Sequence, residues 1–168
     1  MNLPDGVSVE IKENLMKVTG PKATLEKKFD NRTVALAVEG KEVKVTLKKK
    51  GTRKNRAAAN AVEAHLKNMV QGSQGDFVKK LQIVYAHFPV SIEIKGKTVF
   101  IKNFLGEKVP REAKVIDNTK VAVAGQELTV SGNDKEAVGQ TASNLVRATK
   151  IVKKDIRVFQ DGIYYLPG

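Results

Sequence analysis

The sequence predicts an α+β fold: two tandem repeats of one small domain, each a mostly antiparallel β-sheet packed against one α-helix. Three observations lead there. The segment Val7-Ser8-Val9-Glu10-Ile11-Lys12 returns as Val90-Ser91-Ile92-Glu93-Ile94-Lys95. Both copies continue with alternating apolar and polar residues, the mark of strands with one buried face. Both then change to three- and four-residue spacing, the mark of a helix with one buried stripe. Elements repeating in the same order indicate a duplicated unit. Segregation of strands from helix within each unit gives the α+β class.

In the first copy, Val7 to Lys12 forms a strand, Glu13-Asn14 a turn, and a second strand runs around Met16 and Val18, which together read as a hairpin. Val34, Leu36 and Val38 alternate before the turn Glu39-Gly40-Lys41-Glu42, and Val43, Val45 and Leu47 alternate after it, predicting a second hairpin. Ala58, Ala61, Val62, His65, Leu66 and Met69 then mark one face of an Ala-rich helix. The polar stretch Gln71-Gly72-Ser73-Gln74-Gly75 reads as a hinge and divides the chain into domains 1–75 and 76–168.

Phe77 to Phe88 predicts an additional strand leading into the second domain. There Val90 to Lys95, the turn Gly96-Lys97, and a strand around Val99 and Ile101 repeat the first hairpin. Val121 and Val123, the turn Gly125-Gln126-Glu127, then Leu128 and Val130 repeat the second. Val138, Thr141, Ala142, Leu145, Ala148 and Val152 repeat the helix, with Asn133-Asp134 as its N-cap region.

Composition bounds the partners. Aromatic residues are 5% of the chain and Trp is absent, so Val, Ile, Leu and Ala must fill two small cores. Thirty Lys and Arg stand against 18 Asp and Glu, a net charge of +12 carried by both halves. Such an excess favours a polyanion, because neutralising phosphates releases condensed counterions. Cysteine is absent, which excludes a disulfide framework and a Cys-based zinc site. Met1 to Gly6 lacks a basic-then-apolar signal pattern, and no apolar run approaches the roughly 20 residues of a membrane span. The expectation is a soluble, cytoplasmic protein with no membrane partner.

Catalytic groupings are not expected. The two histidines, His65 and His87, fall in different copies, and no Cys–His or Ser–His–Asp grouping is evident. Gly96-Lys97-Thr98 resembles the end of a phosphate-binding loop, but Ser91 stands where the earlier glycine belongs, and the tripeptide falls in a hairpin. Acidic residues are scattered singly, without metal-ligand spacing. No cofactor, metal or small-molecule substrate is expected.

Two basic clusters carry the functional signal. Lys48, Lys49, Lys50, Arg53, Lys54 and Arg56 join the last strand of the first copy to its helix, with no acid among them. Arg147, Lys150, Lys153, Lys154 and Arg157 lie at the end of the second helix and beyond it. The three- and four-residue steps of Arg147, Lys150 and Lys154 put them on one helix face if the helix persists that far. Each cluster has a plainer reading too, as a solvated loop in the first case and as cations favouring a helix C-terminus in the second.

The closing run Lys153-Lys154-Asp155-Ile156-Arg157-Val158-Phe159-Gln160-Asp161-Gly162-Ile163-Tyr164 resembles the C-terminal signature of the ribosomal protein L-six family, in its archaeal and eukaryotic branch. Tyr85-Ala86-His87-Phe88-Pro89, Pro4-Asp5-Gly6-Val7 and Gly20-Pro21-Lys22 are similar to other stretches of that branch; Ala23 departs from the Gly that many members carry. The resemblance runs nearly end to end. It implies two tandem L-six-type domains and a structural constituent of the large ribosomal subunit. It further implies binding to large-subunit rRNA, chiefly through the second domain and C-terminal segment, near the factor-binding region. Neighbouring ribosomal proteins and nearby translation factors are the other implied partners. Arg157, Gln160, Asp161, Gly162 and Tyr164 fall within the matching motif, as RNA contacts or as residues that hold its turn; Asp161-Gly162 could simply be a turn, and Tyr164 a core residue or a stacking platform. A free-standing RNA chaperone or translational regulator of the same fold is the alternative.

Overall fold

The computed structural model describes residues 1–40 and 42–166. The chain divides into two compact units, Met1–Asp76 and Phe77–Gly168.

In unit 1, β1 (Ser8–Lys12), β2 (Leu15–Thr19) and β3 (Thr24–Lys28) form an antiparallel sheet in that order. Strand β1 pairs with β2 across the Glu13-Asn14 turn, with Lys12 opposite Leu15. Strands β4 (Val34–Glu39) and β5 (Glu42–Leu47) form the second hairpin. Glu39 and Glu42 face each other as its last strand pair, so the predicted four-residue turn is shorter than expected. Lys41, part of that turn, lies outside the described residues. Helix α1 (Arg53–Gln74) closes the unit over a core of Leu3, Met16, Val18, Val43, Leu66, Met69 and Val70.

Unit 2 repeats this order with β7 (Ser91–Lys95), β8 (Thr98–Lys102), β9 (Arg111–Lys114), β10 (Thr119–Ala124), β11 (Glu127–Gly132) and α2 (Lys135–Ala148). The β7–β8 turn is Gly96-Lys97, a hairpin turn as predicted. Gly96 has φ 57 there, a left-handed backbone open to glycine at little cost. At the matching place in unit 1, Glu13 adopts φ 47. Two strands have no counterpart: β6 (Phe77–Val84) and β12 (Gly162–Tyr165), which enlarge the second sheet to the order β10-β11-β6-β12. Unit 2 therefore holds the larger core, built around Leu81, Ile83, Ile101, Phe104, Leu128 and Ile163.

Several boundaries differ from the sequence reading. The third strands β3 and β9 were not predicted, since Leu25 and Ala113 are the only apolar residues they contain. The extra strand stops at Val84 rather than Phe88, because the chain bends at Ala86–Phe88 and Pro89 donates no ladder hydrogen bond. Helix α2 ends at Ala148, so Val152 is not on it.

The polar stretch Gln71–Gly75 is not a hinge. Helix α1 runs through Gln74, with Gly72 and Ser73 buried. Ser73 Oγ donates to Val70 O at 2.8 Å, and its carbonyl accepts from Lys22 N at 3.0 Å. An otherwise unpaired carbonyl of the last helical turn is thus satisfied by the Gly20-Pro21-Lys22 turn. A Cβ on Gly20 would meet Ser73 Oγ at 2.5 Å and Ser73 O at 2.9 Å, so only glycine allows this approach. Gly20→Ala should therefore destabilise the protein by about 1–3 kcal/mol, the usual cost of overpacking. Equilibrium denaturation of the variant checks this.

Candidate nucleic-acid interface

The first basic cluster divides between a loop and a helix. Lys48, Lys49 and Lys50 are exposed in the loop after β5, whereas Arg53, Lys54 and Arg56 are exposed in the first turn of α1. Thr52 caps the helix by accepting from Asn55 N at 3.3 Å, and Asn55 Nδ2 donates to Lys50 O at 2.7 Å. No acidic residue stands in that first turn. The partial positive charge of a helix N-terminus disfavours cations there. These three residues oppose local helix stability, so the helix itself gives no reason for them.

The second cluster is not a helix face. The last carbonyls of helix α2 are capped by its own C-cap residue and by a side chain from another strand of unit 2. Thr149 Oγ1 donates to Val146 O at 3.1 Å and accepts from Ile163 N at 3.0 Å. Arg111 Nη1 donates to Ala148 O at 3.0 Å and to Lys150 O at 3.1 Å. The same guanidinium lies 4.4 Å from the centre of the Phe104 ring and holds the Glu107 carboxylate at 2.6 and 2.8 Å. The Arg111 contact pulls the Glu107 carboxyl below its usual range. Arg147 therefore sits on the last turn of α2, while Lys150, Lys153, Lys154 and Arg157 follow on an irregular segment.

That segment is shaped by its own hydrogen bonds. Lys153 adopts a left-handed backbone, φ 62. Asp155 Oδ1 accepts from Arg157 N at 2.9 Å, and Asp155 O accepts from Phe159 N at 2.9 Å. Gln160 Nε2 donates to Arg157 O at 3.2 Å, and the Tyr164 hydroxyl donates to Gln160 O at 2.9 Å. The polar ends of Gln160 and Tyr164 thus hold the turn, while the Tyr164 ring stays about half exposed. Arg157 pairs with Asp155 at 3.3 Å, yet its side chain is 88% exposed. Lys154 Nζ lies 4.7 Å from the centre of the Phe159 ring. Arg147, Lys150, Lys153 and Lys154 are exposed and have no acidic partner within ion-pair distance among the described residues.

Sequence reading missed two features of this end. Arg111, one basic residue among many, is a structural clamp. A cavity of about 330 Å³ opens between the end of α2 and the returning segment, lined by Ile151, Ile156, Phe159, Asp161 and Ile163 among others. Asp161-Gly162, which by residue type could form a turn, instead leads into a strand. Asp161 is buried and Gly162 opens β12. Gathering these residues took the return of β12, which has no local signal.

The histidines lie apart from both clusters. His65 is half-buried on α1, and His87 is exposed with its ring edge-on to Phe88 at 4.8 Å. Among the described residues, no group of three or more His, Cys, Asp or Glu gathers as metal ligands do, and no helix is long and apolar enough to cross a membrane.

Two α+β units carrying exposed cations define a basic two-domain protein. Comparison with known proteins gives its family. The family model for ribosomal protein L6 matches residues 3–75 and 88–162. The large ribosomal subunit protein uL6 of Methanosarcina mazei is 44% identical over 165 residues, covering 98% of this chain and 93% of that protein. Those of Ignicoccus hospitalis and Aeropyrum pernix are each 42% identical, covering 98% of this chain and 90% of each relative. The chain belongs to the ribosomal protein L6 family. Membership makes it a ribosomal structural protein rather than an enzyme.

One prediction concerns the turn itself. The Asp155 carboxyl is held below the usual range, first by the Arg157 backbone N–H and then by the Arg157 side chain. A lowered carboxyl stabilises the folded turn above its ordinary value, and this contribution is lost as pH falls through the lowered one. The turn should stay ordered at neutral pH and loosen in acid below the usual carboxylate range. Amide resonances of Arg157, Val158 and Phe159 should move together in that window, and Asp155→Asn should abolish the transition.

Proposed function

We propose that this protein is a structural, non-catalytic constituent of the large ribosomal subunit that binds large-subunit rRNA mainly through unit 2. Its place is near the factor-binding region, beside neighbouring ribosomal proteins and within reach of translation factors. The carrying observation is the set of exposed cations that starts with Arg147 at the end of α2 and continues through Lys150, Lys153, Lys154 and Arg157 on an irregular segment held by hydrogen bonds of its own. Such a surface neutralises phosphates and reads the shape of a folded RNA more than its sequence. Lys48, Lys49, Lys50, Arg53, Lys54 and Arg56 are a second phosphate-binding patch, on unit 1. Family membership and the likeness to large ribosomal subunit protein uL6 support the ribosomal setting.

The salt dependence of binding to an rRNA fragment tests the mechanism. Replacing Arg147, Lys150, Lys154 and Arg157 together by Gln should weaken binding and flatten the log–log slope by about 0.7–0.9 for each lost phosphate contact. An unchanged slope would overturn the unit 2 surface. The same replacement at Lys48, Lys49, Lys50, Arg53, Lys54 and Arg56 should also flatten the slope, and an unchanged slope would show that unit 1 makes no phosphate contact. In fractionated cell extract the protein should travel with large subunits at near-unit stoichiometry, where a free-standing chaperone would not.

A further inference from the structure

The cavity at the end of α2 contains a feature that phosphate binding does not use. Asp161 is 7% exposed and lines the cavity. Among the described residues nothing hydrogen-bonds to its carboxylate, whose oxygens keep some contact with the cavity rather than being sealed. A carboxylate so placed can accept hydrogen bonds from a molecule in the cavity. Around it the walls are apolar and aromatic: Ile151, Ile156, Phe159, Ile163 and the ring of Tyr164. Arg147 and Lys150 also line the cavity, and Lys153, Lys154 and Arg157 belong to the segment that forms its far side.

We propose that this cavity receives one unstacked guanine base of RNA, with the Asp161 carboxylate as the acceptor that selects it. The proposal rests on the RNA-binding reading given above and names the group read at that surface. About 330 Å³ lies at the lower end of the roughly 300–1,000 Å³ typical of pockets for small ligands. Single-stranded bases are recognised by stacking on aromatic side chains and by hydrogen bonds to their edges.

The choice of base follows from the carboxylate, which has two acceptor oxygens and no donor. Guanine presents two adjacent donors on its pairing edge, N1–H and N2–H, and so matches both oxygens. Adenine and cytosine present one amino donor beside a ring-nitrogen acceptor, and uracil presents one N–H between two carbonyls. Each of these would turn an acceptor toward the carboxylate. Charge selects RNA over a basic protein segment. The surrounding cations repel an incoming Lys or Arg but attract the phosphates on either side of a neutral base.

Titration of the full-length, isotope-labelled protein with each of the four nucleoside 5′-monophosphates tests this by NMR. GMP should shift the amides of Thr149 to Ile151 and of Asp161 to Tyr164, and bind about tenfold tighter than AMP, CMP or UMP, as expected for a two-bond base contact. Asp161→Asn, nearly isosteric, should abolish the preference while leaving the salt slope of rRNA-fragment binding unchanged. Ile156→Glu, at a position 69% exposed, should weaken all four nucleotides without disturbing the core. Equal shifts with all four would show phosphate binding alone and overturn the proposal. No shifts at these residues, with salt-dependent rRNA binding intact, would also overturn it and leave the RNA-binding reading standing. Loss of both would defeat that reading as well. A crosslink in assembled subunits from Ile156 to a protein neighbour instead of RNA would assign the cavity to that neighbour.

Discussion

The pairing of β12 with β6 holds the cationic end of unit 2 together. Four residue pairs, from Gly162 opposite Val84 to Tyr165 opposite Leu81, carry the chain back across the sheet after its irregular passage. Ile163 is buried in the core at the centre of that pairing, and its N–H reaches Thr149 at the end of α2. One short strand thus fixes both ends of the cationic segment. Without it, Lys150 to Gln160 would be a tail with no reason to close on itself, and the cavity beside Asp161 would not form.

The two units share a plan but use it differently. In unit 1, Met1 and Asn2 lie against β5, with Val43 N donating to Met1 O at 2.9 Å and Asn2 bridged to Glu42. In unit 2 the whole of β6 occupies that side of β11, and β12 adds to it. The larger sheet buries more apolar surface, which matters for a unit this small and this poor in aromatics. It also supports a segment that breaks local rules: Lys153 in a left-handed backbone, and Val152, Ile156 and Val158 exposed. Local inconsistencies of this kind concentrate where a protein meets its partner. Cations in the first turn of α1 are the corresponding break in unit 1.

Hairpins, their order and both helices were legible because each rests on a local repeat. Val9 and Ile11, or Ile92 and Ile94, need only a period of two to declare a strand. Strands β3 and β9 were not, since Thr24-Leu25-Glu26-Lys27-Lys28 and Arg111-Glu112-Ala113-Lys114 are held by their partners rather than by a pattern. Lys17 and Glu26, opposite each other across β2 and β3, meet at 2.9 Å, a pairing visible only once the register is known. Gln71–Gly75 looked like a hinge because its residues are small and polar. Its burial depends on a turn at Gly20–Lys22, far away in sequence. The end of α2 was misplaced for the same reason, since Arg111 approaches from another strand.

By itself the sequence determined the duplication, the α+β class, the cationic character and the family resemblance. All of these follow from residue type and short-range spacing, which survive without coordinates. Tertiary structure alone decided where helix α2 ends, which polar side chains hold the turn, and that Asp161 lines a cavity. Those outcomes depend on long-range hydrogen bonds and on the return of β12, and no local period encodes them.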